Sequence, residues 1–300
     1  MLVKENENGD FSFRIKNINC DFLGYSFLAE LQFHILNTPI RTLSVHFYPN
    51  NFIEANLFAV LGAVLPHPSK VSLEFHRNIT NWTKTNSSIR KLLERNGFLN
   101  YYSDPGEKYE HSFKDTTAQY KIFKKHELID FSQYIKNDVL KPEGFPKMSE
   151  AARKKIIEGI LEVFLNSIIH GQTDKVFICG QYYPNKGFLK FTLVDLGITI
   201  KTDVYRNTQL DLSGTEAIKW AVSGDNTTRR GNIPGGLGLK MLRNFLKLNG
   251  GSIQIISNDG YWQEKESVEI VRDLKFPFSG TIVTISFNTT DSKQYIVSGE

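Results

Sequence analysis

One uninterrupted stretch near the middle of the chain, residues 149–170, constrains the fold more than any other. It contains no proline, and its apolar side chains recur at the three- and four-residue spacing of a helix that buries one face. Ser149 is a residue type that commonly caps a helix start. The pattern therefore predicts a long helix that begins after Ser149 and continues to His170.

Polar side chains follow one line along this predicted helix. Each lies four residues after the previous one, so together they form a slowly wrapping stripe: Glu158, Glu162, Asn166 and His170. Burying such a group without a partner costs on the order of 1–3 kcal/mol. The stripe therefore predicts partners, supplied either by the protein or by a bound ligand.

The length and composition of the chain fit a globular protein with two domains. It has 300 residues, of which 40% are hydrophobic and 23% are charged. No apolar run is long enough to cross a bilayer, and the N-terminus is too polar for a signal peptide. We therefore expect a cytoplasmic protein without membrane contacts.

Charge and cysteine content narrow the classes of partner. The net charge of +4 is modest and no dense Lys/Arg stripe occurs, so a nucleic-acid partner is not expected. The two cysteines, Cys20 and Cys179, are too few for a disulfide framework in a chain of this length. We expect both thiols to be reduced.

Residues 1–125 show the alternation of short strands and helices that is typical of a small α/β domain. Residues 1–40 alternate apolar and polar side chains, which predicts short strands, including one at 31–35. A strand, a helix, a second strand and a second helix are then predicted at 43–47, 52–65, 71–75 and 87–96. A loop and a short strand are expected at 100–125.

A linker is expected at 126–147. It contains a predicted helix at 127–140, which ends in a run with two prolines and a glycine. The second domain is predicted at 148–290, followed by a C-terminal tail at 291–300. After its long first helix, this domain has strands predicted at 175–179, 188–194, 252–257 and 281–287, and helices at 215–223 and 240–248.

Two glycine-containing motifs lie in the second domain. Gly235-Gly-Leu-Gly238 precedes a predicted helix, where backbone N–H groups and the helix dipole favour an anion such as phosphate. No Gly-Lys-Ser/Thr follows and no buried strand leads into it, so it is neither a Walker A loop nor a dinucleotide fingerprint. Asp195-Leu-Gly197 ends a predicted strand and is, by itself, an ordinary turn sequence.

The order of the motifs is more specific than any one of them. A helix with Glu162 and Asn166 precedes the strand that ends in Asp-x-Gly, then a glycine-bounded segment, a Gly-x-Gly-Leu helix start and Gly280-Thr281. This order resembles the ATP-binding domain of the GHKL superfamily, which includes DNA gyrase, the heat-shock chaperones, MutL, and the histidine and anti-sigma kinases. The resemblance covers about residues 148–290 and implies an α/β two-layer sandwich, with a mixed sheet covered by helices.

The resemblance implies that the domain binds ATP with Mg²⁺. Asn166 would coordinate the metal through its amide oxygen, and Glu162 would be the general base. Asp195 would accept a hydrogen bond from the adenine amino group, Gly197 would let the backbone approach the ring, and Thr281 would support the pocket through a water. Gly236 and Gly238 would line the phosphates, and Gly235, Leu237 and Leu239 of the same helix start would also contact the nucleotide.

The chain also departs from the family pattern. Thr199 replaces the second glycine of Asp-x-Gly-x-Gly, which predicts a stiffer edge to the nucleotide pocket. Arg229 and Arg230 lie in the predicted lid at 224–234, from which an arginine could pair with the γ-phosphate. Gyrase-like and chaperone members use a cationic residue from a downstream domain, and the segment after residue 290 is too short to supply one. Slow hydrolysis is therefore expected.

The remaining members of the polar stripe are expected to be structural. His170 would cap or pack at the helix end, and Glu158 would lie on the surface or face the other domain.

The N-terminal region resembles the STAS domains, the fold of bacterial anti-sigma antagonists. The likeness lies in the element order and in the sequence at 52–57, where the first predicted helix begins. Antagonists carry a phosphorylatable serine near that turn, whereas this chain has Ala55, so phosphorylation there is not expected. A generic α/β docking domain fits the same pattern.

Three functions remain open at this point. The first is a slow Mg²⁺-dependent ATPase whose nucleotide state controls a protein partner or the N-terminal domain. The second is an anti-sigma-type serine protein kinase, in which Glu162 would deprotonate a serine of the partner. The third is a non-catalytic scaffold gated by ATP or ADP. A histidine kinase is disfavoured because the helix before the second domain offers only His126. Self-association as a dimer is left open.

Overall fold

The computed structural model describes residues 2–48, 51–76, 88–102, 116–140, 145–223 and 237–296. These residues form two β-sheets with helices packed between and outside them. The prediction of an α/β protein is confirmed at this level. Within these ranges, no helix combines the length and the apolar composition needed to cross a membrane.

A four-stranded sheet lies in the N-terminal region. Its strands follow the spatial order β1 (Val3–Lys4), β2 (Asp10–Arg14), β3 (Thr42–Phe47) and β4 (Val71–Phe75). β1 and β2 are antiparallel, whereas β2, β3 and β4 are parallel. Parallel neighbours need crossover connections, which contain α1 (Phe22–Leu36) and α2 (Phe58–Val64). Two short helices follow β4, α3 (Ser88–Arg95) and α4 (Leu99–Tyr102).

Helix α1 corrects the prediction of a strand at 31–35. Asp21 caps the helix, because its carboxylate accepts a hydrogen bond from the N–H of Gly24 at 2.9 Å. Apolar side chains lie on almost every face of α1, since the helix packs between two sheets. That arrangement removes the one-sided periodicity by which an amphipathic helix is recognised.

A five-stranded sheet occupies the C-terminal region. Its spatial order is β5 (Thr117–Lys124), β6 (Lys175–Tyr183), β7 (Phe188–Asp195), β9 (Val268–Asn288) and β8 (Ser252–Lys265). Every neighbouring pair is antiparallel, so the expectation of a mixed sheet is wrong. The reason is connectivity: β6–β7 and β8–β9 are hairpins, and the helical connection from β5 to β6 also reverses the chain. β5 comes from the range 1–125 that the sequence assigned to the N-terminal domain.

The outer face of this sheet is covered by helices. Four of them contribute buried apolar side chains to one core: α5 (Leu128–Tyr134), α6 (Glu150–Ile169), α8 (Gly214–Val222) and α9 (Leu237–Asn249). Helix α6 is the long helix predicted from the sequence, and the hydroxyl of Ser149 caps it by accepting from the N–H of Ala152 at 3.2 Å. The prediction at 127–140 is confirmed by α5 and the π-helical turn Ile135–Val139 that continues it.

The four-stranded sheet and the helices α1 and α2 form what we call the N-terminal layer. This layer covers the other face of the five-stranded sheet. Helices α1 and α2 share a continuous apolar core with residues of the five-stranded sheet such as Val194 and Ile282. Buried hydrogen bonds tie the two parts together. The Tyr25 hydroxyl donates to Thr284 at 2.6 Å, and the Asn56 carboxamide donates to Thr192 at 2.8 Å. Both faces of the sheet are therefore buried.

Candidate functional site

An open cleft lies between the outer helices and the end of the five-stranded sheet. Its empty volume, including the side that opens to solvent, is about 970 Å³. Six residues that the sequence predicted for a nucleotide site line it: Glu162, Asn166, Asp195, Thr199, Leu239 and Thr281. They come from segments far apart in the chain, so the fold brings together the motifs that the sequence presents in order.

The remaining predicted residues divide into two groups. Gly197 and Gly238 lie beside lining residues, and Leu237 begins helix α9. Five predicted positions or segments lie outside the described residues, namely Arg229, Arg230, Gly235, Gly236 and the lid at 224–234.

Asp195 is the most buried charged group of the cleft, with 1% of its surface exposed. Burial raises the pKa of its carboxyl group to about 6, because the charged form loses its hydration. Three donors oppose that rise by hydrogen-bonding to the carboxylate: the backbone N–H of Gly197 at 3.0 Å, the Ser167 hydroxyl and the backbone N–H of Thr281. The carboxylate is thus held in one orientation at the cleft wall.

Thr281 is fixed by its neighbour across the sheet. Its hydroxyl lies 3.1 Å from that of Ser257, its register partner on β8. Ser257 also donates to the carbonyl of Gly280 at 2.9 Å and accepts from the N–H of Ile200 at 3.0 Å. One buried serine therefore links β8, β9 and the start of the helix that follows β7.

Gly197 is required by a close backbone approach. A Cβ atom at this position would lie 1.8 Å from the carbonyl oxygen of Gly171. That carbonyl accepts a hydrogen bond from the N–H of Ile198 at 2.7 Å, which draws the end of α6 against the loop after β7. The absence of a side chain at Gly197 thus holds Asp195 beside α6.

Thr199 has a local structural role that accounts for its departure from glycine. It is the N-cap of α7 (Ile200–Thr208), and its hydroxyl accepts from the N–H of Thr202 at 3.2 Å. This helix was not predicted from the sequence, although Thr199 followed by Asp203 in the first turn was an available signal.

Glu162 binds the start of helix α9. Its Oε2 atom accepts from the backbone N–H of Gly238 at 2.8 Å and from that of Leu239 at 3.3 Å. These are N–H groups that a helix start leaves without intrahelical partners, and the helix dipole favours a negative charge there. The predicted base therefore occupies the place where the sequence predicted phosphate contacts.

A contact between two glycines brings Glu162 close to the start of α9. Gly159 on α6 packs against Gly238 on α9, and a Cβ atom on Gly159 would lie 2.7 Å from the carbonyl oxygen of Gly238. The same Cβ atom would lie 2.8 Å from Cβ of Leu242. The two helices cross so closely that only glycine fits, which places the start of α9 within reach of Glu162.

The other members of the polar stripe lie at three different places along α6. Asn166 lines the cleft one turn beyond Glu162. His170 ends α6, and its Nδ1 atom lies 3.1 Å from the carboxylate of Asp203 on α7. Glu158 is on the surface, 3.1 Å from the ammonium of Lys155.

Among the cleft residues that were not predicted from the sequence are Ser167, Asp203 and Trp220, which carry a hydroxyl, a carboxyl and an aromatic ring. Ser167 follows Asn166 directly and bonds Asp195, but an isolated serine in a helix carries no signal of its own. Trp220 lies on α8, whose predicted apolar face does not reveal which aromatic residue borders a cleft.

The donor set of the cleft fits a cation that takes few protein ligands. No group of three or more histidine, cysteine or acidic side chains able to hold a metal occurs in the part of the chain that the structure describes. Asn166 carries an amide oxygen and Glu162 carries carboxylate oxygens, and both residues line the same cleft. Mg²⁺ commonly takes one or two protein oxygens and completes its shell from phosphate and water.

No protein-family model matches the chain, and a search of curated proteins returns no significant match.

Proposed function

We propose that the protein binds ATP in this cleft with Mg²⁺, as a slow ATPase of the GHKL type. The observation that carries the proposal is the convergence of Asp195, Asn166 and the start of α9 on one cleft. An adenine amino group, a metal ion and a triphosphate each require one of these three features. An α/β fold alone would be weak support, because many folds of this class bind no nucleotide.

Asp195 is suited to selecting the base. Its carboxylate is buried and oriented by three donors, and the residue lines the cleft. An exocyclic amino group supplies a donor to such an acceptor, whereas the carbonyl at the same position of guanine would face it with an acceptor. A buried polar group left unpaired is costly, so the discrimination should be strong.

Glu162 is placed to leave the start of α9 when a nucleotide binds. Its carboxylate neutralises the start of α9 in the structure, and a phosphate would do the same. Phosphate at α9 would displace Glu162 toward the reacting end of the ligand, where a carboxylate can orient a water. Mg²⁺, when bound, would supply charge neutralisation for the phosphates.

The same contact favours a second candidate function. Because Glu162 is already engaged by two backbone N–H groups, it has a structural role that does not depend on catalysis. A non-catalytic scaffold gated by nucleotide would use the same pocket without turnover. The N-terminal layer is packed on the sheet that carries the cleft, so its conformation would be the first to change when nucleotide binds.

The test of the proposal is calorimetric titration with a non-hydrolysable ATP analogue and Mg²⁺. Asp195→Asn should weaken binding by about tenfold or more, because the carboxamide presents a donor to the amino group. Asp174→Asn is the matched control, since Asp174 is exposed and pairs with Lys125 at 2.7 Å outside the cleft. ATP affinity unchanged in Asp195→Asn would overturn the pocket assignment.

A further inference from the structure

A second cleft lies at the opposite end of the same sheet, along the border between the N-terminal layer and the β6–β7 hairpin. We call it the seam cleft and define it by Glu54, Lys186, Lys190, Gln263, Lys265 and Ser286, which line it. Its empty volume, including its open side, is about 820 Å³. Lys190 lies five residues before Asp195 on β7, so at about 3.3 Å per residue the two clefts are roughly 17 Å apart along that strand.

The charge of the seam cleft is positive. Lys190 is partly buried and pairs with the carboxylate of Glu54 at 2.7 Å. Lys186 and Lys265 have no carboxylate within ion-pair distance among the described residues. The lysines therefore exceed the acidic groups of the lining, and an anion entering the cleft would meet uncompensated charge.

Lys186 is not an unrestrained surface lysine. Its ammonium lies 5.9 Å from the ring centroids of both Phe52 and Tyr183, which holds it near the N-terminal layer. Its position follows from the turn Pro184–Lys186, which joins β6 to β7 and places the lysine at the mouth of the cleft.

Neutral donors accompany the lysines. Ser286 is 6% exposed, and its hydroxyl makes no hydrogen bond to any described residue. The carboxamide oxygen of Gln263 accepts from the Tyr261 hydroxyl at 2.6 Å, so the amino group of that carboxamide is the part available to a ligand. Hydroxyl and amide donors beside ammonium groups form the donor set that recognises phosphate oxygens.

We propose that the seam cleft binds a small phosphate-bearing anion. Lys186 and Lys265 supply its charge neutralisation, and Ser286 and Gln263 supply oriented hydrogen bonds. Lys190 joins them when the anion competes with Glu54 for its ammonium. Since Glu54 belongs to the N-terminal layer, the ligand acts on the contact between that layer and the sheet. The proposal is independent of nucleotide binding in the other cleft.

The test is a titration of the full chain with inorganic phosphate and, separately, with glycerol 3-phosphate, followed by amide chemical shifts. Both ligands carry the same phosphate, and tighter binding of the ester would assign the site to an organic phosphate. Equal binding would assign it to free phosphate. Neutral glycerol should not bind.

Charge variants locate the site. Lys186→Glu with Lys265→Glu should lower phosphate affinity by about tenfold or more, whereas Glu54→Gln should raise it several-fold by releasing Lys190. Lys91→Glu with Lys275→Glu is the matched control, because it makes the same charge change on exposed lysines outside both clefts. Thermal unfolding of each variant establishes that it is folded.

Two results would overturn the proposal. One is a phosphate affinity that falls as much in the control double variant as in the seam-cleft double variant, because phosphate would then be attracted only by the overall charge of the protein. The other is shift changes confined to the start of α9, with no change at the β6–β7 turn.

Discussion

Gln32 and Ser279 form a paired hydrogen bond between the N-terminal layer and the strand that supports the first cleft. The Gln32 carboxamide accepts from the N–H of Ser279 at 2.7 Å and donates to its carbonyl at 3.0 Å. Ser279 is followed by Gly280, whose missing Cβ atom allows the carbonyl of Asp195 to approach, and then by Thr281. Helix α1 therefore helps to position the cleft from the opposite face of the sheet.

Gln32→Ala should lower both stability and nucleotide affinity. Two hydrogen bonds are lost, one of them at a main-chain N–H, so the free energy of unfolding should fall by about 1–2 kcal/mol. ATP affinity should fall as well, because Thr281 loses part of its support. Urea unfolding and calorimetric titration measure the two effects. Gln133→Ala, on an exposed position of α5, is the control and should change neither.

The buried carboxyl of Asp195 should make stability depend on pH. Its pKa is about 6 in the folded protein against an ordinary value of 3.8, so the folded state binds more protons between these pH values. The free energy of unfolding should therefore fall as the pH rises from about 4 to 6, by up to roughly 3 kcal/mol.

Urea unfolding across this pH range measures the effect. Asp195→Asn removes the titrating group and should flatten the dependence, whereas Asp174→Asn, at an exposed carboxylate, should retain it. A slope that survives in Asp195→Asn would assign the effect to another group.

Glu162→Gln should separate binding from turnover. The carboxamide oxygen can still accept from the start of α9 in the free protein, and it competes with phosphate less well than the carboxylate does, so ATP affinity should be retained or should rise. A carboxamide cannot take a proton, so turnover should fall by about a hundredfold or more. Phosphate release at saturating ATP measures this. Glu158→Gln, one turn earlier on the surface, is the control. Unchanged turnover would overturn the assignment of Glu162 as the base, whereas no turnover in the native chain would favour the nucleotide-gated scaffold.

Gly159→Ala should push α9 away from α6. The new methyl group would meet the carbonyl of Gly238 and the side chain of Leu242, both under 3 Å away. Such overpacking typically costs about 1–3 kcal/mol. The shift would also lengthen the contact between Glu162 and the start of α9. Urea unfolding gives the stability, and Glu158→Ala on the same helix is the control. A variant as stable as the native chain would show that α9 relaxes freely.

Local signals predicted the elements around the first cleft better than the fold as a whole. Helix α6 and the strands β6 and β7 were predicted because each has one clear apolar period, and the start of α6 has a recognisable cap in Ser149. Helix α1 was missed because apolar side chains lie on almost every face, which removes the periodicity of an amphipathic helix. The pairing of β5 with β6 is set by long-range contacts that no local pattern encodes.

The site was predicted to the extent that its residues belong to spaced motifs. Asp195 and Asn166, which line the cleft, were predicted as site residues because the family resemblance assigns roles to their positions. Ser257 and Ser167 were missed because a buried serine differs from an exposed one only in its surroundings. The contact between Glu162 and Gly238 required the crossing of two helices, which depends on Gly159 as a packing residue and not as a helix breaker.

The coverage of the five-stranded sheet on both faces has a consequence for assembly. The face opposite the outer helices would be an extensive apolar surface in a domain that stood alone, and such a surface is a common site for a second copy to dock. Here α1 and α2 already occupy it, with Tyr25 and Asn56 satisfying its buried threonines. The N-terminal layer thus covers the face of the sheet that a second subunit could otherwise cover. A homodimer of this chain must therefore form through a different surface.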